Sequence, residues 1–314
     1  MGYCLGETME GREMKCCVLG SQNTALCQIS DIRAGFSALG HTPIIDYTDP
    51  DTSFVFVGNG PYDSYIDLVR SKQRKVIFNV LDCPTWVPEW PELKAKWAEQ
   101  LPLAAKVTCI SKTVQRDLAE FFGVKADVIY YPSKPVRFIG EKKYPQFKVA
   151  MIGRLRDPEK FVSTAVQALI QSGFNEREVA IIGPEPIGWG TPLGVLSDNA
   201  LNDLYNSVDY VLMLDRGAGI GLPAIEAACV GAIPIVARHL ATFDEFWVES
   251  PLGLQYQMIN SVNSIATLLT SIERDSKWKA NLKLDMLAYG NQFFYPKFDR
   301  KEVAKRIIGV YHSV

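Results

Sequence analysis

The stretch DRGAGIGLPAIEAACVGAIPIV, residues 215–236, concentrates the residue types that hold anionic ligands. Gly217, Gly219 and Gly221 lie between the apolar run VDYVLML and Pro223, and Glu226 is the single carboxylate of the apolar run that follows. Glycines let a ligand approach the backbone closely. Proline suits the first turn of a helix, because the amide it lacks would be unpaired there. The order strand, glycine loop, Pro223, helix therefore predicts free N–H groups near Gly221 and Leu222 at a positive helix end. That end lies at the carboxyl end of a strand, where open α/β sheets take their ligands. An anion is the expected occupant. Glu226, one turn on, is placed to accept hydrogen bonds from sugar hydroxyls of the same ligand. A Glu at a helix start is also favourable with the helix dipole by itself, so these residues alone leave both readings open.

Gly219, Gly221 and Ala224 also satisfy GxGxxG/A. A dinucleotide fingerprint asks in addition for an acidic residue about 20 positions on, at the end of the next strand. The next strand, AIPIVA, runs instead into Arg238 and His239. That leaves an NADP-dependent oxidoreductase as a minor alternative.

The elements that must position this loop alternate along the chain. Apolar runs predict strands at KCCVLG, HTPIID, SFVFVG, KVIFNVLD, KVTCIS and ADVIYYP, with helices at the segment ending FSALG, at SYIDLVRSK and at KTVQRDLAEFFG. Strands separated by helices imply a parallel sheet covered on both faces. PSKPVRFIGEKKYP, at 132–145, reads as a linker. FKVAMIGRL then restarts the alternation: a helix over 159–172, strand EVAIIG, a helix at ALNDLYNS, strand VDYVLML, the glycine loop and strand AIPIVA. The expected organisation is a tail over 1–14, a Rossmann-like domain over 15–140, a second over 146–295, and an amphipathic terminal helix over 296–314.

The chain has 314 residues, 47% hydrophobic and 22% charged, with 33 Lys and Arg against 35 Asp and Glu. This is ordinary globular composition, ample for two cores, and it argues against a basic nucleic-acid module. The cysteines at 4, 16, 17, 27, 83, 109 and 229 follow no disulfide or zinc spacing, so no metal is expected. No apolar run reaches about 18 residues, and MGYCLGETMEGREM is too polar for a signal peptide. A cytoplasmic protein is the expectation.

Several motifs, in order, carry a resemblance: KVTCISKTVQRDLAEFFGVKADVIYYPS, FKVAMIGRLRDPEKFVSTAVQAL, EVAIIGPEP, ALNDLYNSVDYVLML and GIGLPAIEAACVGAIPIVA. Together they resemble the GT-B glycosyltransferases, specifically glycosyltransferase family 4, which transfer a sugar from a nucleotide donor with retention. The likeness runs over about 15–311 and is densest from 105 to 237. It implies an α/β GT-B fold: two Rossmann-like domains with parallel sheets, a cleft between them, and a C-terminal helix crossing back to the first. It implies a hexosyltransferase with a nucleotide-diphosphate sugar, UDP or GDP, and no obligatory cofactor or metal. Arg154 and Lys160 would hold the diphosphate, a planar fork and a point charge against the leaving group's developing charge. Glu226 would accept the ribose hydroxyls. Gly183, Pro184, Glu185 and Pro186 would lie beside the base, and Gly219, Ile220, Gly221 and Leu222 beside the sugar and phosphates.

The chain departs from the family in two places. Ala218 stands where the family has a second Glu against the transferred sugar, with Asp215 and Arg216 as substitutes from the same loop or as a salt-bridged pair. At NVLDCP, where many relatives carry His, Asp82 is the candidate to orient an acceptor hydroxyl. Gly20, with Ser21, Gln22 and Asn23, is the first-domain loop expected near the phosphates, or else a helix-capping loop. TWVPEWPELKAKW offers Trp86, Trp90 and Trp97 as an acceptor platform or as core residues, and it also admits peripheral membrane association. Carbohydrate, other hydroxyl acceptors and nucleic acid all remain acceptor classes. The alternative prompted by Ala218 is a degenerate relative that binds a nucleotide or sugar without transfer.

Overall fold

The computed structural model describes residues 13–20, 26–58, 70, 75–81, 90–156, 160–215, 220–256 and 261–314. The expected N-terminal tail up to residue 12, most of the helix at SYIDLVRSK, Ser21 to Asn23, Asp82, Trp86, Arg216, Ala218 and Gly219 lie outside the described residues.

The six apolar runs of the first half form β1 (Lys15–Leu19), β2 (Thr42–Ile44), β3 (Thr52–Val57), β4 (Val76–Val80), β5 (Lys106–Cys109) and β6 (Ala126–Val128). They pair in parallel in the order β2-β1-β3-β4-β5-β6. The second half gives β7 (Val149–Ile152), β8 (Val179–Ile182), β9 (Thr191–Gly194), β10 (Tyr210–Met213) and β11 (Ile233–Val236), a parallel sheet in the order β11-β10-β7-β8-β9. β4, β8, β10 and β11 are buried at every position, which is why they read as continuous apolar runs rather than alternating ones.

Among the described residues, helices of eight or more residues are α1 (Leu26–Ala38), α2 (Trp90–Gln100), α3 (Lys112–Phe122), α4 (Val162–Gln171), α5 (Asp198–Ser207), α6 (Leu222–Cys229), α7 (Val262–Arg274), α8 (Ser276–Tyr289) and α9 (Arg300–His312). The strand order reverses between β1 and β3 in the first sheet and between β7 and β10 in the second. Such reversals open a crevice at the carboxyl ends of the strands. Gly20 lies at the first, and Gly153, Arg154, Leu214 and Asp215 lie at the second.

The terminal helix crosses back as expected. α9 packs on α1, where a Cβ at Gly35 would collide with the Arg300 carbonyl and crowd Ala304, and Tyr311 stacks on Phe54 with ring centroids 4.7 Å apart. Tyr130, Phe246, Phe293, Phe294 and Phe298 form one aromatic cluster under the crossing, its pairs edge-to-face except for the tilted Tyr130 and Phe298.

The expected linker has no regular structure, yet side chains of α5 hold it: Arg137 and Ile139 N–H donate to Asn202 and Asn206 Oδ1 at 2.7 and 2.8 Å, and Tyr144 N–H to Ser207 Oγ at 3.0 Å. Asp209 at the start of β10 ties the linker's Lys142 to Lys279 and Lys283 of α8. Burial alone would raise the Asp209 carboxyl, but Lys283 and Lys279 hold it well below the usual carboxylate range.

Three local features refine the sequence reading. β9, TPLG, is a half-exposed edge strand carrying Pro192, which an edge tolerates. WPELKAKWAEQ forms α2, with Trp97 buried against Phe122; core is the outcome for this tryptophan. The helix expected from 159 begins at Val162, because Phe161 adopts a left-handed backbone, φ 48°.

Candidate functional site

The carboxyl ends of β7, β8, β10 and β11 and the start of α6 build the site. Gly221 caps α6 with φ 77°, a conformation glycine reaches without strain, and Pro223 follows in the first turn. The helix start anticipated at Gly221 to Pro223 is thus where the chain places it. A Cβ at Gly183 would collide with the Gly153 carbonyl, so the ends of β7 and β8 approach closely only because glycine occupies that position. Pro186 and Glu185 are fastened to the β7 side by Arg156, whose Nε lies 3.1 Å from the Pro186 carbonyl and 3.1 Å from the Glu185 carboxylate. The turn at 183–186 is thereby brought to the same end of the sheet as Arg154 and Lys160.

Lys160 Nζ pairs with Asp215, the residue that follows β10 by two positions. The side chains are 18% and 5% exposed respectively, so the lysine end is aimed into the sheet's carboxyl edge. Arg154 and Arg238 are exposed at the ends of β7 and β11. His239 places Nε2 2.9 Å from the Leu214 carbonyl and its ring 5.1 Å from Phe161. Phe161 is the sole non-glycine residue with positive φ among the described residues, and it directly follows Lys160. A bulky residue in that region is strained, and strain of this kind collects at binding sites. Cationic side chains beside a helix N-terminus are a chemistry that can hold an anion.

Glu226 is only 4% exposed. Its Oε1 accepts the Lys134 backbone N–H and its Oε2 the Tyr205 hydroxyl, both at 2.8 Å. Burial pushes the carboxyl up to about 7 despite these bonds. Lys134 also reaches Asp31 of α1 at 3.3 Å and Asp198 of α5 at 3.2 Å, and Arg300 of α9 completes the Asp31 contact at 3.0 Å. Glu226 therefore stands where α6, the linker and the first domain meet.

Among the other candidates, Ile220 is buried and its carbonyl accepts the Thr242 hydroxyl at 2.8 Å, while Leu222 is half-buried at the head of α6. Gly20 ends β1 at the first sheet's crevice, packed against Ile29. Among the described residues no cluster of His, Cys, Asp or Glu stands ready for a metal ion, and no helix is long and apolar enough to cross a membrane. Tyr205, Phe161, Thr242 and His239 were not picked out by sequence as site residues. A signal existed for His239 alone, since it sits with Arg238 directly after a strand.

No protein-family model matches the chain, and no curated protein matches it by sequence. Solved structures do match over nearly the whole length. Sucrose-phosphate synthase from Thermosynechococcus elongatus aligns over 96% of this chain and 99% of its own, with a TM-score of 0.74 at 12% identity. WaaG, a glycosyltransferase involved in lipopolysaccharide biosynthesis, aligns over 94% and 100%, with a TM-score of 0.64 at 10% identity. The pneumococcal O-GlcNAc transferase GtfA, solved with UDP and GlcNAc, aligns over 90% of this chain and 59% of its own, with a TM-score of 0.62 at 12% identity. The fold is that of the GT-B glycosyltransferases.

Proposed function

We propose that the chain is a glycosyltransferase that moves a hexose from a nucleotide-diphosphate donor, UDP or GDP, to a hydroxyl acceptor with retention of configuration. The observation that supports it most directly is the convergence of Lys160, Arg154 and the N-terminus of α6 on the β7/β10 reversal, in a fold shared end to end with transferases. Lys160 and Arg154 offset the charge that develops on the departing diphosphate, and the α6 amides add fixed partial charge without reorganisation. Asp215 holds Lys160 in place before the donor arrives. The turn at 183–186 borders the base, and the first domain presents the acceptor, with Asp82 as the candidate to orient its hydroxyl.

Glu226 is almost wholly buried and already accepts Lys134 N–H and the Tyr205 hydroxyl, so contact with a ribose requires that the packing over the carboxylate open. With Ala218 at the position of the missing carboxylate, this favours a second reading, a protein that holds a nucleotide or sugar without transferring it. Thermal shift and turnover against UDP-, GDP-, ADP- and dTDP-sugars separate the two. One nucleotide class raises the melting temperature, and Lys160→Ala and Arg154→Ala each remove the shift. Slow hydrolysis of that sugar supports the transferase; binding with no consumption in any acceptor pool supports the binder; no shift with any nucleotide overturns both.

A further inference from the structure

The turn after β11 makes contacts that donor binding does not use. Thr113 Oγ1, in the first turn of α3, donates to the Ala241 carbonyl at 2.8 Å. Lys112 N–H donates to Glu245 Oε1 at 2.7 Å, and the Tyr130 hydroxyl donates to Glu245 Oε2 at 2.8 Å. All three donors belong to the first domain. Ser111, the residue that caps α3, accepts the Val114 N–H at 3.1 Å. The amide of Lys112 at the first helical position is one of those a helix cannot pair internally, and Glu245 of the other domain takes it.

The same turn reaches the donor side. Thr242, fully buried, donates its hydroxyl to the Ile220 carbonyl at 2.8 Å, directly ahead of the α6 cap Gly221. Leu240 closes on Gly221 so tightly that a Cβ there would come within 3.0 Å of its Cδ2. Residues 241 and 245 thus bond to the first domain, and residue 242 between them bonds to the glycine loop.

We propose that residues 241–245 are a strut linking the domains, in which Glu245 is a positioning residue: by capping α3 it fixes Thr242, and Thr242 fixes the start of α6. The start of α6 is then held in place only while the acceptor-side domain is docked. The functional meaning rests on the glycosyltransferase reading, but the mechanical coupling does not.

Hydrogen exchange on the ligand-free full chain tests it. The amides of Ala224 and Ile225, which bond the Gly221 carbonyl, report the start of α6, and that of Lys112 reports the start of α3. Glu245→Ala speeds exchange at both ends, about tenfold at α6 for the loss of roughly one hydrogen bond. Thr242→Val speeds α6 and leaves α3 unchanged, and Thr242→Ser restores it. In the double variant, Glu245→Ala adds nothing at α6 beyond Thr242→Val. An effect of Glu245→Ala confined to α3, or additive effects in the double variant, overturns the strut. Should Glu245→Ala fail to fold, Tyr130→Phe and Thr113→Val each remove one bond and give smaller changes at α6; no change there in either overturns the proposal. Failure of both UDP and GDP to bind the wild-type chain would count against the donor reading and leave this result standing.

Discussion

Glu226 and Glu245 fasten two seams of the molecule with the same types of donor and at different cost: Glu226 joins α6 to the linker and to α5 of its own domain, whereas both partners of Glu245 belong to the first domain. Each accepts one backbone N–H at 2.7 or 2.8 Å and one tyrosine hydroxyl at 2.8 Å. Burial raises both carboxyls, but only Glu226 lies fully within the protein, with its carboxyl at about 7. The difference teaches that position in a recognisable motif is no guide to freedom. The carboxylate inside the glycine-rich motif is the more deeply buried, and the one outside any motif bridges the domains from a half-buried position in a largely buried turn.

Glu226→Ala gives the largest expected effect. It leaves Lys134 N–H and the Tyr205 hydroxyl unpaired at a buried junction and costs about 3 kcal/mol, read as a lower urea midpoint. A loss under roughly 0.5 kcal/mol would break the comparison, since a carboxylate that matters so little is not fastening anything.

The pH dependence comes next. The folded carboxyl of Glu226 titrates near 7 against an unfolded value near 4.5, so its contribution is full below about pH 4.5 and is lost as pH rises through about 7. The difference amounts to about 3 kcal/mol. Glu226→Gln removes this dependence, and urea melts between pH 5 and 8 show a flatter profile than wild type. The neighbours that also bear on the group are Lys134, Tyr205 and Asp31. A wild-type profile that stays as steep in the Gln variant would assign the titration elsewhere.

The smallest effects sharpen the contrast. Tyr205→Phe costs about 2 kcal/mol and shifts the Glu226 titration upward, because the hydroxyl it removes favours the charged form. Tyr130→Phe costs about 1 kcal/mol, since water reaches Glu245 more readily. Equal losses in paired unfolding curves would show that burial does not distinguish the two seams.

Most of the fold was legible because parallel strands buried on both faces leave an unmistakable record, as KVIFNV and VDYVLML do. TPLG left none, being a short edge strand with a proline and two exposed positions. In the site, Gly221 and Pro223 were legible because backbone geometry demands those residue types. The partners of Glu226 were not, for one is a backbone amide 92 residues away and the other a tyrosine indistinguishable by type from a core residue.

The sequence by itself determined the two alternating α/β halves, the glycine turn at the start of α6, and the basic residues at the strand ends, because each is a local requirement of periodicity or backbone conformation. Only the tertiary structure decided that Asp215 is spent on Lys160, that Glu226 is spent on the linker, and that Glu245 caps a helix of the other domain. Which acceptor meets which donor depends on how the chain crosses back on itself, and hydrogen bonds between residues far apart in the chain leave no periodic trace in it.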